Sequence, residues 1–191
     1  MIDKASKRFV FIDTETGGIN PQKHSLLQIG LIVWDVADGI IGHNLFFIKN
    51  DKYCITKEAQ KINKFSKKAH EERAIAPQKV IKEIILFLRN FFPENTFIPL
   101  IGHNVQFDIS FLKKFFKNNH RSYNRLFSHR AIDTYSVFKT LVLAGKIDVC
   151  LNSSSDAFKY FKITVNERHN ALSDCFATVR LYQELLKLIK K

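Results

Sequence analysis

Short apolar runs alternate along this chain with longer stretches in which apolar residues recur every third or fourth position. Phe9-Val10-Phe11-Ile12 predicts a buried strand over about 8–14. Residues 26–35 and 40–49 predict two more strands, joined by a turn at Ala37-Asp38-Gly39, so the first three strands read as an antiparallel meander. A short helix is expected over 57–63. Pro77 then opens a longer helix to about Phe92, with Val80, Ile81, Ile84, Ile85 and Leu88 as its buried side. A fourth strand is expected over 97–102 and a helix over 106–118, where Phe111, Leu112, Phe115 and Phe116 recur at helical spacing. Ala131-Ile132 reads as a short fifth strand before a helix that opens at Asp133-Thr134 and runs to about Leu143. Ser154 or Ser155 is expected to cap a helix through Tyr160. The last helix spans about 171–189, with Cys175, Thr178, Leu181, Tyr182, Leu185, Leu188 and Ile189 as its apolar stripe. Three strands followed by alternating helices and strands predict an α/β protein with a mixed sheet.

Acidic residues interrupt this pattern where the apolar elements end. Asp13 and Glu15 fall where the first strand is expected to stop, and residues two apart on a strand share a face. Two carboxylates pointing the same way repel each other, and the usual compensation is a hard divalent cation. Gly17 and Gly18 then let the backbone turn or a ligand approach closely. Asp108 falls in the first turn of the helix after the fourth strand, where a carboxylate also serves as a plain cap. Asp174 lies early in the last helix, on or beside its apolar stripe, an unusual place for a carboxylate that is neither paired nor metal-bound. His169 precedes it in the loop.

Taken together, Asp13-Thr14-Glu15, His103-Asn104-Val105-Gln106-Phe107-Asp108, and His169 with Asp174 five residues on resemble the motifs of the DEDD exonuclease superfamily, in its histidine-containing branch. The resemblance runs from about Phe9 to about Leu188. Thr14-Glu15-Thr16-Gly17-Gly18 and Leu26-Leu27-Gln28-Ile29-Gly30 are similar to the subgroup of the bacterial DNA polymerase III proofreading subunits and ribonuclease T. Oligoribonucleases usually carry an apolar residue where this chain has Thr14. The resemblance implies a ribonuclease H-like fold, a mixed five-stranded sheet flanked by helices. It implies 3′–5′ hydrolysis of terminal phosphodiesters, with release of nucleoside monophosphates. Asp13, Glu15, Asp108 and Asp174 would hold two divalent cations, Mg²⁺ or Mn²⁺, with His169 as general base. Thr14 and Thr16 would contact the terminal nucleotide, Asn104 and Phe107 would shape the site, and the segment with Asn63 would meet the 3′ nucleotide, although relatives often have a His at that position. The implied partners are single-stranded 3′ ends, DNA favoured over RNA. Association with a DNA polymerase is allowed, but the chain stops soon after the last helix, where proofreading subunits often carry a polymerase-binding tail. An RNA-trimming exonuclease has the same motifs. A catalytically silent nucleic-acid-binding or polymerase-accessory module is the reading of another class, and retention of all four acids with His169 weighs against it.

Composition narrows this further. A length of 191 residues suits a single exonuclease domain over 1–191 with a well-formed core, and the hydrophobic fraction of 46% is that of an ordinary soluble protein. No apolar run approaches a membrane span, and the first eight residues lack the apolar core of a signal peptide. Cys54, Cys150 and Cys175 are odd in number and widely spaced, which fits a reducing cytoplasm better than a disulfide framework or a zinc knuckle. A formal charge of +12 points to a polyanionic partner. Lys57, Lys61, Lys64, Lys67 and Lys68 form one basic cluster, and Lys113, Lys114, Lys117, Arg121 and Arg125 another. Most of the 18 Phe are expected in the core, and an exposed apolar patch would allow pairing with a second copy.

Overall fold

The computed structural model describes residues 7–149, 153–165 and 168–190. Cys150 and most of the N-terminal segment read for a signal peptide lie outside them. Strand β1 is Arg8–Thr16, β2 Leu26–Asp35, β3 Gly39–Phe47, β4 Ile98–Gly102 and β5 Phe127–Asp133. Among the described residues these form one mixed sheet in the order β3-β2-β1-β4-β5. The first three strands pair antiparallel, as the meander requires, while β4 and β5 run parallel to β1. Helices α1 (Lys57–Ile62), α2 (Lys67–Glu71) and α3 (Pro77–Arg89) lie between β3 and β4, and α4 (Gln106–Asn118) between β4 and β5. Helices α5 (Thr134–Leu143), α6 (Ser154–Tyr160) and α7 (Ala171–Lys190) follow.

Both faces of the central strand are buried, and its side chains alternate between two cores. Val10 and Ile12 join Leu31, Val33, Leu100 and the apolar sides of α3 and α4. Phe11 joins Ile32, Trp34, Ile101 and, from α7, Cys175 and Val179. A third cluster ties α7 to α5 and α6 through Phe138, Leu141, Phe158, Leu181 and Leu185. Each fully buried side chain of this size contributes about 1.5–3 kcal/mol, so α7 is clamped against the sheet along its length. Ten of the 18 Phe are buried and Phe97 is exposed, so most of these rings fill the core.

Four local readings change. Strand β1 continues to Thr16, so Asp13 and Glu15 lie inside the ladder, opposite Gly30 and Gln28, rather than at its end. Strand β5 is seven residues long and not confined to Ala131-Ile132; it is an edge strand whose exposed His129 and Arg130 carry little apolar signal. Helix α2 was not expected: its five residues, four polar and one alanine, show no periodicity, and Ser66 caps them. Helix α6 is capped by Ser153, not by Ser154 or Ser155. Ser153 has the extended backbone a cap needs, its Oγ accepts from the Asp156 N–H, and its hydroxyl donates to the Asp156 carboxylate.

Candidate active site

The carboxyl ends of the parallel strands β1 and β4 open onto a cavity of about 240 Å³. Its lining includes Asp13, Thr14, Glu15, Thr16, Asn63 and Phe107. His169 and Asp174 close it from the α7 side. Asp13 and Glu15 share the β1 face that packs on α7, so strand alternation brings them toward Asp174. Thr14 points to the other face, where its hydroxyl donates to Asp108 Oδ1 at 2.7 Å. Asp108, in the first turn of α4, is thus buried behind Thr14 rather than part of the cavity wall.

The start of α7 is fixed by its own cap and by two contacts to β2. Asn170 Oδ1 accepts from the Leu172 and Ser173 N–H groups and caps the helix. The Ala171 N–H donates to Gln28 Oε1, and Cys175 Sγ to the Gly30 carbonyl. Gly30 is required here, because any Cβ would collide with the Ala171 carbonyl. Asp174 is buried and reaches back, its Oδ2 accepting the His169 N–H at 3.0 Å. His169 sits at φ +66, a left-handed conformation that a non-glycine residue adopts at a cost. Glu15, His169 and Asp174 place ligand atoms within 4.8 Å of one another. Asp13 and Asp108 stand outside that closest group.

The remaining residues singled out from sequence take varied positions. The Thr16 hydroxyl donates to the Gly18 carbonyl, and Asn63 Nδ2 donates to the Thr16 carbonyl at 2.8 Å, tying the end of α1 to β1. Phe107 is half-buried on the wall, its ring 5.1 Å from that of Phe111. Asn104 is exposed and outside the cavity. Its N–H donates to Asp133 Oδ1, which also caps α5. Gly17 serves the protein itself, not a ligand: a Cβ there would strike the Cys54 carbonyl in the segment leading to α1. Arg168 and Phe158 line the cavity without having been singled out from sequence, and Ile62 and His103 line it from within the segments quoted around Asn63 and Asp108. His103 Nδ1 lies 3.1 Å from the Thr134 hydroxyl.

Charge is concentrated here with little compensation. Burial pushes the Glu15 carboxyl up to about 8, helped by Asp174 and opposed by Arg168. Burial also raises Asp108 to about 7, although the Thr14 hydroxyl opposes it. Asp13 is raised well above its usual range by burial and by the Asp108, Glu15 and Asp174 charges. Asp174 is raised by burial against the pull of Arg168. Burial, then Arg168, lowers His169. Buried carboxylate oxygens beside one imidazole suit a divalent cation that prefers oxygen ligands, and no thiolate competes, since Cys175 bonds to Gly30.

A pH dependence follows. An acid with a higher pKa in the folded chain binds more protons folded than unfolded, so stability falls as pH rises. For Glu15 the stabilisation is complete below its unfolded value of 4.5 and is lost as pH passes about 8. His169 works in the opposite sense below 6.5, but it is one group against four acids. The melting temperature in chelator is expected to fall between about pH 5 and 8. A flat or rising profile would mean that the carboxylates do not crowd one site.

Residues 10–182 match the RNase T family, described as exonuclease. The ribonuclease T of Wigglesworthia glossinidia brevipalpis is 30% identical over 190 residues, covering 95% of this chain and 86% of that protein. The DNA polymerase III subunit epsilon of Rickettsia conorii (strain ATCC VR-613 / Malish 7) is 28% identical over 186 residues, covering 95% of this chain and 75% of that one. E. coli exonuclease I, solved in complex with a dT13 oligonucleotide, superposes with a TM-score of 0.80 at 17% identity. The overlap takes in 96% of this chain but only 43% of exonuclease I, and at that identity it speaks for the fold alone. That fold is the ribonuclease H-like one of the exonucleases. Among the described residues no helix is long and apolar enough to cross a membrane.

Proposed function

This chain belongs to the RNase T exonuclease family, and we propose that it is a metal-dependent 3′–5′ exonuclease. It hydrolyses the terminal phosphodiester of a single strand, DNA before RNA, and releases nucleoside monophosphates. Residues 1–191 are read as one exonuclease domain, working in a reducing cytoplasm. The observation that carries this reading is the gathering of three carboxylates and one imidazole around a single cavity, with a fourth carboxylate, Asp108, held just behind Thr14, and with Arg168 as their one ion-pair partner among the described residues.

In this reading Asp13, Glu15, Asp108 and Asp174 hold two divalent cations, Mg²⁺ or Mn²⁺. When bound, these lower the pKa of an attacking water and stabilise the leaving 3′ oxygen. The Thr14 hydroxyl orients the Asp108 carboxylate, and the Asn170 cap with the Gly30 contact holds Asp174 in place. His169 takes a proton from the water: its lowered pKa keeps the ring neutral, and so able to accept, at neutral pH. Ile62, half-exposed, and Phe107 offer apolar surface to the terminal nucleotide, while Thr16 and Asn63 line its approach.

His169→Ala is expected to lower kcat by about 10²–10⁴-fold while Mn²⁺ and single-strand binding persist. The geometry sharpens this test, because His169 stands within ligand distance of Glu15 and Asp174. Loss of Mn²⁺ binding with little change in rate would make it a ligand.

Exposed Lys57 and Lys61 lie on α1, whose end reaches the cavity through Ile62 and Asn63; Lys64, whose charge acts on His169, follows, and exposed Lys67 and Lys68 continue the basic run on α2. Single-strand affinity should fall with salt at a log–log slope of about −0.7 per neutralised phosphate. Lys→Glu changes at Lys57, Lys61, Lys64, Lys67 and Lys68 should make that slope shallower. An unchanged slope would leave these lysines as solvated surface.

The 30% identity to a ribonuclease T supports RNA trimming as the second reading. End-labelled single-stranded DNA and RNA degraded side by side separate the two. Degradation of neither, with metal present, would favour a silent binding module. Similarity to a polymerase III subunit makes a DNA polymerase the first protein partner to test by co-purification.

A further inference from the structure

Arg168 immediately precedes His169 and reaches into the same cavity. Its Nη1 donates to Asp174 Oδ1 at 2.6 Å. Its Nη2 donates to the Ser155 hydroxyl at 2.9 Å, and the guanidinium carbon lies 5.3 Å from the Phe158 ring centroid. Two neutral partners on α6 and one carboxylate on α7 therefore hold this side chain. The other Asp174 oxygen already accepts the His169 N–H. A dication held by Glu15 and Asp174, beside His169, would draw on the carboxylate that Arg168 occupies. Two cations at one buried carboxylate repel strongly.

The same cation is what keeps the metal-free site tolerable, since Arg168 is the positive charge opposing the upward pull on Asp13, Glu15 and Asp174. It gives the chain a substitute for metal, at the cost of competing with metal.

Resting on the metal-site reading above, we propose that Arg168 is an exchangeable counter-cation. It pairs with Asp174 when no metal is bound and gives that carboxylate up when a dication binds. It thereby sets the metal concentration at which the site fills.

The test is Mn²⁺ titration of the full chain by calorimetry, with melting temperatures in chelator. Arg168→Gln keeps a partner for Ser155 but removes the charge. It should tighten the Mn²⁺ Kd about tenfold, the scale of one charge-assisted hydrogen bond, and lower the metal-free melting temperature. Arg168→Lys keeps the charge and should stay near the wild-type Kd. Should Arg168→Gln prove too unstable to titrate, Ser155→Ala removes one of the guanidinium's holds and no charge. It should tighten the Kd in the same direction, by about threefold. An unchanged or weaker Kd in the variant measured overturns the inference while leaving the metal site standing. A wild-type chain that binds no Mn²⁺ overturns the metal site, and the inference with it.

Discussion

Replacing any one of Asp13, Glu15, Asp108 or Asp174 by alanine is expected to slow 3′-end hydrolysis by more than about a hundredfold, a loss that substitutions merely adjacent to a metal already approach. The folded chain should survive each change. Asp13 and Glu15 sit on a strand whose other residues, Val10, Phe11 and Ile12, carry its packing. Asp174 sits on a helix anchored by Cys175, Val179, Leu181 and Leu185. Removing a carboxylate from this crowd relieves repulsion, while Asp108 and Asp174 also give up the hydrogen bonds they accept from Thr14 and from Arg168 and His169, so activity is compared only among variants shown to be folded. Circular dichroism on each variant checks that condition. If two or more folded variants keep near wild-type rates, the residue assignment fails.

The second large effect is on stability. With its carboxyl pushed up to about 8, Glu15 takes up a proton when the metal-free chain folds near neutral pH, at a cost on the order of a few kcal/mol, and Asp13, Asp108 and Asp174 press in the same direction. A dication that binds only the folded chain adds RT ln(1 + [L]/Kd), about 2.7 kcal/mol at a hundredfold excess over Kd. The melting temperature should therefore rise with millimolar Mn²⁺ or Mg²⁺ and fall with chelator. Asp13→Asn removes one charge, so it should raise the metal-free melting temperature and shrink the response to metal. Both readouts matter together. A melting curve indifferent to Mn²⁺, with wild type and Asp13→Asn melting alike, would remove the metal pocket from the account.

The strongest parts of the fold were legible because each carries its own periodicity. The run Phe9 to Ile12 is buried on both faces and marks the central strand, and the stripes of α3, α4 and α7 place their helices to within a few residues. Strand β5 and helix α2 were faint for one reason: each buries a single side chain, Phe127 and His70, too few to set a period. Strand alternation put Asp13 and Glu15 on one face, and the resemblance to the DEDD exonucleases joined Asp108 and Asp174 to them, but neither gave their division of labour. That Thr14 turns away to hold Asp108 depends on which helix packs beneath β1, a fact of topology rather than of spacing. Arg168 was hidden by the charge of the chain as a whole. Among 30 basic residues, one arginine beside a histidine carries no signal until the fold lays it against Asp174. Gly30 likewise shows its purpose only once α7 crosses over it.

The most direct test of the central claim is a time course on a 5′-labelled single-stranded oligonucleotide with Mn²⁺ or with chelator. A ladder shortening one nucleotide at a time from the 3′ end is expected, with nucleoside monophosphates as product and no reaction in chelator. Cleavage at internal positions, early loss of the 5′ label, or undiminished degradation in chelator would contradict it.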